Sequence, residues 1–247
     1  MLPVAASSLS GKVALVTGAG SGIGEGLALA LGTSGLRLGL VGRRISTLEA
    51  VSQRIGATSP EVKSYACDLV DESQLQRLGQ RVQKDFGGLD ILVHSAGIFS
   101  QNRLDSTSSA DFDRQFRVNL LAPYSLTRLL LPSLQASQGQ VVFINSSMAR
   151  NGGRTGWGEY AATKAGLKAI ADSFREEVNP LGIRVLSVYV GRTATPMQEA
   201  IFDQEGRDYQ PERLLQPGDV AAVVLNSLTL PRTAEVTEID IRPMSKV

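Results

Sequence analysis

Tyr160 and Lys164 stand four residues apart in the stretch GWGEYAATKAGLK, residues 156–168. If the stretch is helical, one turn places both side chains on the same face. An ammonium beside a phenol favours the phenolate, which lowers a tyrosine pKa from its usual value of about 10. A tyrosine tuned in that way can pass a proton to or from a substrate oxygen near neutral pH. Spacing alone does not separate such a pair from an ordinary solvated helix surface, so the elements around it must decide.

A second chemical cluster is TGAGSGIG, residues 17–24, with glycines at 18, 20, 22 and 24. It follows the short apolar run 12–17, which reads as a buried strand, and precedes a helical pattern closed by Gly35. Glycines between a strand and a helix let the backbone approach a pyrophosphate, whose charge the helix N-terminus stabilises. The competing reading is a tight turn with no ligand. The second strand, 36–41, ends in Gly42-Arg43-Arg44 with no acid. An acid there would bond a ribose 2′-hydroxyl and repel a 2′-phosphate, whereas an arginine pairs with the phosphate through two hydrogen bonds. The expected cofactor is therefore NADP(H), with Arg43 the main contact and Arg44 the second. Two solvated arginines at a helix start are the alternative.

The elements that must position these groups alternate along the chain. A helix at 45–55 leads to a strand at 62–67, with Asp68 directly after it. A helix at 71–86 precedes a strand at 89–93 that runs into HSAG. A long helix at 109–135 carries Asn119 in its interior, and a strand at 140–144 ends in NSS. The Tyr160 helix extends to about Val178, and a strand follows at 183–188. The stretch 192–215 is polar, with a short helix after Pro196; a last helix at 219–228 and a strand at 238–241 complete the pattern. The strands are nearly all apolar, as expected when both faces are covered. This is the pattern of an α/β fold with a Rossmann-like doubly wound parallel sheet in a single domain, 11–247, after an N-terminal tail, 1–10. A TIM barrel fits less well, because eight regular strand–helix units are not visible.

The bulk composition narrows the function classes. Of 247 residues, 25 are Lys or Arg and 24 Asp or Glu, so a net charge of +1 gives no field that would draw nucleic acid or an anionic membrane. One cysteine and one histidine leave no internal disulfide and no basis for a catalytic zinc. No run approaches the roughly 20 apolar residues of a membrane helix. The N-terminus has no basic, apolar leader, and a cytoplasmic location is expected.

Together these residues resemble the short-chain dehydrogenase/reductase family in its standard-length branch, whose TGxxxGIG turn is matched at every fixed position of 17–24. The resemblance runs from about residue 11 to 243. It implies a nicotinamide cofactor and hydride transfer to or from a carbonyl or alcohol. Gly18, Ser21, Gly22, Ile23 and Gly24 are implied to hold the phosphates, Asp68 the adenine amino group, and Ala96 and Gly97 to lie beside the adenosine ribose. His94 and Ser95 replace two asparagines usual in the family, and His94 reads as a hydrogen-bonded structural residue. Ser147 lies 13 residues before Tyr160 and is implied to steady the substrate oxygen; Ser146 is its neighbour and close alternative. Asn119 is implied to bend its helix and hold a water that links Lys164 to solvent. Lys164 is implied to bond the nicotinamide ribose and to lower the Tyr160 pKa. Thr195 is implied to bond the carboxamide or phosphates, and Thr193 to share that role. Val190 replaces a proline before Gly191, which is expected to loosen the nicotinamide wall.

The resemblance thus implies NADP(H)-dependent reduction of a carbonyl, or the reverse, with Tyr160 as proton donor or acceptor. Its implied partners are a small carbonyl or alcohol substrate and copies of the same chain, in a homo-tetramer or homodimer. A non-catalytic NADPH-binding or sensing protein on the same fold is the alternative. A sugar-nucleotide epimerase fits less well, because its TGxxGxxG turn is lacking. Substrate selection is implied in 149–158 and in 196–213, inside the polar stretch 192–215, whose character suits a lid. The first of these contains Arg150, Arg154 and Trp157. One arginine near the pocket would hold a carboxylate or phosphate; solvated loop arginines are the alternative.

Overall fold

The computed structural model describes residues 9–105 and 108–245. Seven parallel strands form one sheet in the order β3-β2-β1-β4-β5-β6-β7. The strands are β1 (Val13–Thr17), β2 (Arg37–Gly42), β3 (Val62–Ala66), β4 (Ile91–His94), β5 (Gln140–Ser146), β6 (Arg184–Val190) and β7 (Glu238–Ile241). Between them run α1 (Gly22–Thr33), α2 (Ile45–Ile55), α3 (Glu72–Phe86), α4 (Ser109–Phe116), α5 (Ala122–Ser137), α6 (Gly158–Val178), α7 (Pro196–Gln204) and α8 (Pro217–Leu228). The order reverses between β1 and β4, and a crevice opens outside the strand carboxyl ends at such a point.

The apolar strands bury both faces of the sheet. Ala14 and Val16 point into one core with Leu27 and Leu31 of α1, Leu48 of α2 and Val224 of α8. Val13 and Leu15 point into the other, with Leu75 of α3, Leu130 of α5 and Leu167 of α6. The period-two alternation of strand side chains therefore sorts one continuous apolar run into two cores. Asp71 caps α3 by accepting the Gln74 amide at 3.1 Å, and Gly87 ends the helix at φ +78°.

Three expectations change. Residues 1–8 of the expected tail lie outside the described residues, but Leu9 belongs to the core, with 2% of its surface exposed. The Lys12 amide bonds the Leu9 carbonyl at 3.1 Å, so the folded unit includes Leu9 and Ser10. The long helix at 109–135 is interrupted: Arg117–Leu121 forms a π-helical turn between α4 and α5. The last helix begins at Pro217, which suits a first helical position, rather than at Asp219. Among the described residues, no helix is long and apolar enough to cross a membrane, and no group of three or more His, Cys, Asp or Glu could hold a metal.

Candidate active site

The site lies along the carboxyl ends of the strands, where each strand hands its chain to a turn. The turn after β1 is shaped by close backbone approach. Gly18 has φ +68°, and a Cβ there would lie 2.8 Å from the backbone of Ala96. A Cβ on Gly24 would lie 2.2 Å from the Gly18 carbonyl oxygen. Thr17 ties this turn to the one after β4: its hydroxyl accepts the Ser95 and Ala96 amides at 3.1 and 3.2 Å and donates to the Val93 carbonyl at 3.2 Å.

Around this turn lies a cavity of about 320 Å³, whose walls include Gly18, Ser21, Gly22, Ile23, Gly24, Arg43, Arg44, Asp68, Ala96, Gly97 and Thr195. Arg43 and Arg44 are exposed, and neither side chain has an ion-pair partner among the described residues. The walls, the backbone that only glycine permits and the free guanidinium groups fit a dinucleotide carrying an extra phosphate.

A second cavity of about 350 Å³ contains Ser146, Ser147, Trp157, Tyr160, Lys164, Gly191, Thr193 and Thr195 in its walls. Ile23, Ser95, Gly97, Thr195 and Met197 border both cavities, which makes them two ends of one cleft. Thr195 also caps α7 by accepting the Gln198 amide at 3.2 Å. The structure thus brings the expected cofactor and catalytic groups together, apart from Asn119, which is fully buried behind the wall.

Asn119 is the pin of that wall. Its Oδ1 accepts the Ile98 amide at 2.8 Å, and its Nδ2 donates to the Ile98 carbonyl at 2.9 Å and to Thr163 Oγ1 at 3.2 Å. It therefore joins the turn after β4 to the helix that carries Tyr160. Lys164, 5% exposed, donates from Nζ to the Ile144 carbonyl at 3.1 Å. Burial pushes its pKa down to about 8.

One site expectation changes. Burial raises the Tyr160 phenol above its usual pKa, and a hydrogen bond from Ser146 only partly opposes this. The Lys164 ammonium lies 5.8 Å from the Tyr160 ring centroid and is turned to the Ile144 carbonyl, and desolvation is the main cause of the rise. The hydroxyl that partly opposes this rise is that of Ser146, and Ser147 borders the same cavity. Ser146 is the last residue of β5, paired with Val190, while Ser147 begins the following 3-10 turn.

His94 is a structural residue. Its Nε2 shares a hydrogen bond of 2.8 Å with Thr127 Oγ1, its ring stacks on Phe143 with centroids 5.0 Å apart, and burial pushes its pKa down to about 3. Val190 does not leave a loose strand. It pairs with both Ser146 and Ile241, and the Gly191 amide bonds the Ile241 carbonyl at 2.8 Å.

The two loop arginines part company. Arg150 pairs with Glu238 and Asp240 and lies over the Tyr189 ring. Arg154 borders the Tyr160 cavity. The polar stretch 192–215 contains α7 and is tied at both ends by the Thr193–Leu215 bridge. Sequence reasoning missed Phe99, Arg192 and Arg242 in the cavity wall, whereas Gln198 falls in the expected stretch 196–213.

Residues 12–206 match the family described as short chain dehydrogenase. The chain belongs to that family. An uncharacterized oxidoreductase of Staphylococcus aureus (strain USA300) is 32% identical over 96% of this chain and 99% of its own. A glycine betaine reductase of Emericella nidulans is also 32% identical over 98% of this chain, which spans only 19% of that longer protein. Among solved structures, an alcohol dehydrogenase of the archaeon Thermococcus sibiricus, complexed with 5-hydroxy-NADP, superposes with a TM-score of 0.87 at 27% identity, covering 96% of this chain and 98% of that one. A metagenomic short-chain oxidoreductase in complex with NADP gives 0.84 at 33% identity, covering 97% and 100%. A 3-ketoacyl-(acyl-carrier-protein) reductase of Brucella melitensis, complexed with NADH, gives 0.84 at 28% identity, covering 95% and 98%. As a short chain dehydrogenase, the chain is an oxidoreductase with a Rossmann-like fold.

Proposed function

We propose that this short chain dehydrogenase reduces a small carbonyl compound with NADPH, Tyr160 delivering the proton. The observation that carries the reading is one cleft with Tyr160, Lys164 and two serines at one end and a glycine turn with two unpaired arginines at the other. Neighbouring structures bind both NADP and NADH. Arg43 and Arg44, at a strand end without an acid, favour the 2′-phosphate.

The cofactor, when bound, supplies the hydride. Gly18, Ser21, Gly22 and Gly24 would hold its phosphates, Asp68 its adenine, and Thr193 and Thr195 its nicotinamide end. A phenol raised by burial is protonated at neutral pH, which is the form that donates to a carbonyl oxygen as negative charge develops there. Ser146 orients that phenol, and Ser147, bordering the same cavity, steadies the substrate oxygen. Lys164, with a pKa of about 8, is largely charged at pH 7 and stabilises the phenolate left behind. Asn119 holds Lys164's surroundings in register through Ile98 and Thr163.

The test is Tyr160→Phe, assayed with NADPH against a panel of ketones and aldehydes. The expected loss in kcat/KM is at least about 100-fold, the lower range for a positioned acid. Survival of reduction within tenfold would remove Tyr160 from the mechanism.

A further inference from the structure

Glu205 ends α7, its amide donating to the Ile201 carbonyl at 2.9 Å. The end of a polar helix is an ordinary place for a solvated glutamate, yet this side chain is only 7% exposed. Arginines from three places in the chain surround it. One carboxylate oxygen accepts Arg154 at 2.7 Å and Arg192 at 3.1 Å, and the other accepts Arg192 at 2.9 Å and Arg207 at 3.2 Å. Burial works against the charge, but the guanidinium groups outweigh it. The carboxyl is held below its ordinary pKa and is ionised at neutral pH.

Two of these arginines belong to the walls of the cleft. Arg192 follows β6 and Arg154 lies in the loop after β5; both border the Tyr160 cavity, as do Met197, Gln198 and Ile201 of α7. The segment before α7 is tied down by backbone, the Ala194 amide bonding the Leu215 carbonyl at 2.7 Å. The far end of α7 meets the loop after β5 through the Glu205–Arg154 pair. Arg154 in turn lies over the Trp157 ring, 4.6 Å from its centroid. Trp157 meets Tyr160 edge-on with centroids 6.2 Å apart, and Phe99 packs on both rings, at 4.5 and 5.2 Å. A continuous chain of contacts therefore runs from Glu205 through Arg154 and Trp157 to the phenol.

We infer that Glu205 is a positioning residue that sets the width of the cleft above Tyr160, by holding the end of α7 against Arg154. This rests on the reading of the cleft as a carbonyl reductase site. Glu205 is not in the cavity wall and acts only through the arginines it holds. With the carboxylate in place the cavity is about 350 Å³, at the small end for ligand sites, and admits a small carbonyl compound. Without its charge, three guanidinium groups face one another where little water reaches them, and like charges so placed repel. The repulsion is relieved when the end of α7 and the Arg154 loop part, which widens the cleft between them.

The experiment compares the wild type with Glu205→Gln, which keeps the shape and removes the charge, and with Glu205→Asp, which keeps the charge on a shorter stem. Each is assayed with NADPH on methyl ketones of rising bulk, from butanone to acetylnaphthalene. Glu205→Gln should raise the ratio of kcat/KM for the bulkiest ketone over the smallest at least threefold, through KM, with Glu205→Asp closer to the wild type. A smaller change, or one carried by kcat, would overturn the proposal. Trp157 is the only tryptophan, so its emission reads the same link without turnover. In Glu205→Gln it should shift to the red as water reaches the ring, and tryptic cleavage after Arg207 of the native chain should speed up at least threefold. Arg154→Met breaks the link from the other side, and it decides the question if Glu205→Gln does not fold. It should reproduce these changes, and the double variant should add little to either single one. Additive effects would mean that the two residues act separately, which also overturns the proposal. If no carbonyl is reduced by the wild type, the reductase reading falls, while emission and cleavage still decide whether Glu205 holds the segment.

Discussion

Burial acts in opposite directions on three titratable groups, Tyr160 and Lys164 in the cleft wall and His94 in the core. It raises the acid Tyr160 and lowers the bases Lys164 and His94, because in each case it disfavours the charged form. For Tyr160 and Lys164 the consequence is catalytic. For His94 it is stability. Its folded pKa of about 3 lies below the unfolded value near 6.5. Above pH 6.5 both states are neutral, and nothing is lost. As pH falls from about 6.5 toward 3 the unfolded chain binds a proton that the folded chain refuses, so stability drops by up to roughly 1.4 kcal/mol per pH unit. His94→Asn keeps a polar partner for Thr127 and removes the titration. The melting temperature should fall less steeply from pH 6.5 to 4.5 in the variant than in the wild type; parallel curves would contradict a buried neutral histidine.

Two elements set the site's shape: the glycine turn and the π-helical turn. The π turn at Arg117–Leu121 turns Asn119 inward, where its three side-chain bonds clamp the turn after β4 to α6. An uninterrupted helix would change the direction of that side chain. The glycine turn tolerates no added atom at its tightest point. A Cβ on Gly24 meets the Gly18 carbonyl oxygen at 2.2 Å, and that oxygen is backbone with no rotamer to escape into. Gly24→Ala should therefore destabilise the fold by about 1–3 kcal/mol, as overpacking does. It should also weaken NADP+ binding at least tenfold, because the start of α1 must move. Chemical denaturation and isothermal titration measure the two effects; an unchanged dissociation constant would show that the turn does not seat the cofactor.

At the scale of the molecule, one sheet separates two cores and the cleft crosses its carboxyl edge. A dinucleotide spanning from Arg43 to Tyr160, with Asp68 at its adenine, would touch the turns after β1, β2, β3, β4, β5 and β6 at once. Binding to the folded state alone stabilises it by about 2.7 kcal/mol at a ligand concentration 100 times the dissociation constant. For a chain of this size that is a rise in melting temperature of roughly 5–10 °C. NADP+ should give this rise and NAD+ at the same concentration a smaller one, with Arg43→Ala closing the gap. Equal shifts for both cofactors in the wild type would refute the assignment of Arg43 to the 2′-phosphate.

The alternation of apolar runs with amphipathic stretches was sufficient to specify the parallel sheet, because both faces of each strand had to be covered. The glycine cluster after the first strand and the acid-free end of the second marked the cofactor end, since backbone approach and charge are local properties. The pairing of Tyr160 with Lys164 was legible from helical spacing. Other features were settled only by packing. Leu9 is core rather than tail because it joins the buried apolar cluster of Ala14, Leu31 and Leu36. The direction of the Tyr160 pKa depends on desolvation, which no spacing encodes. Arg150 and Arg154 are neighbours in one loop, yet one is spent on β7 and the other faces the cavity. Arg192, Gln198 and Glu205 look like ordinary polar residues in the chain. Their significance comes from three dimensions, where one buried carboxylate is shared among three arginines beside the cleft.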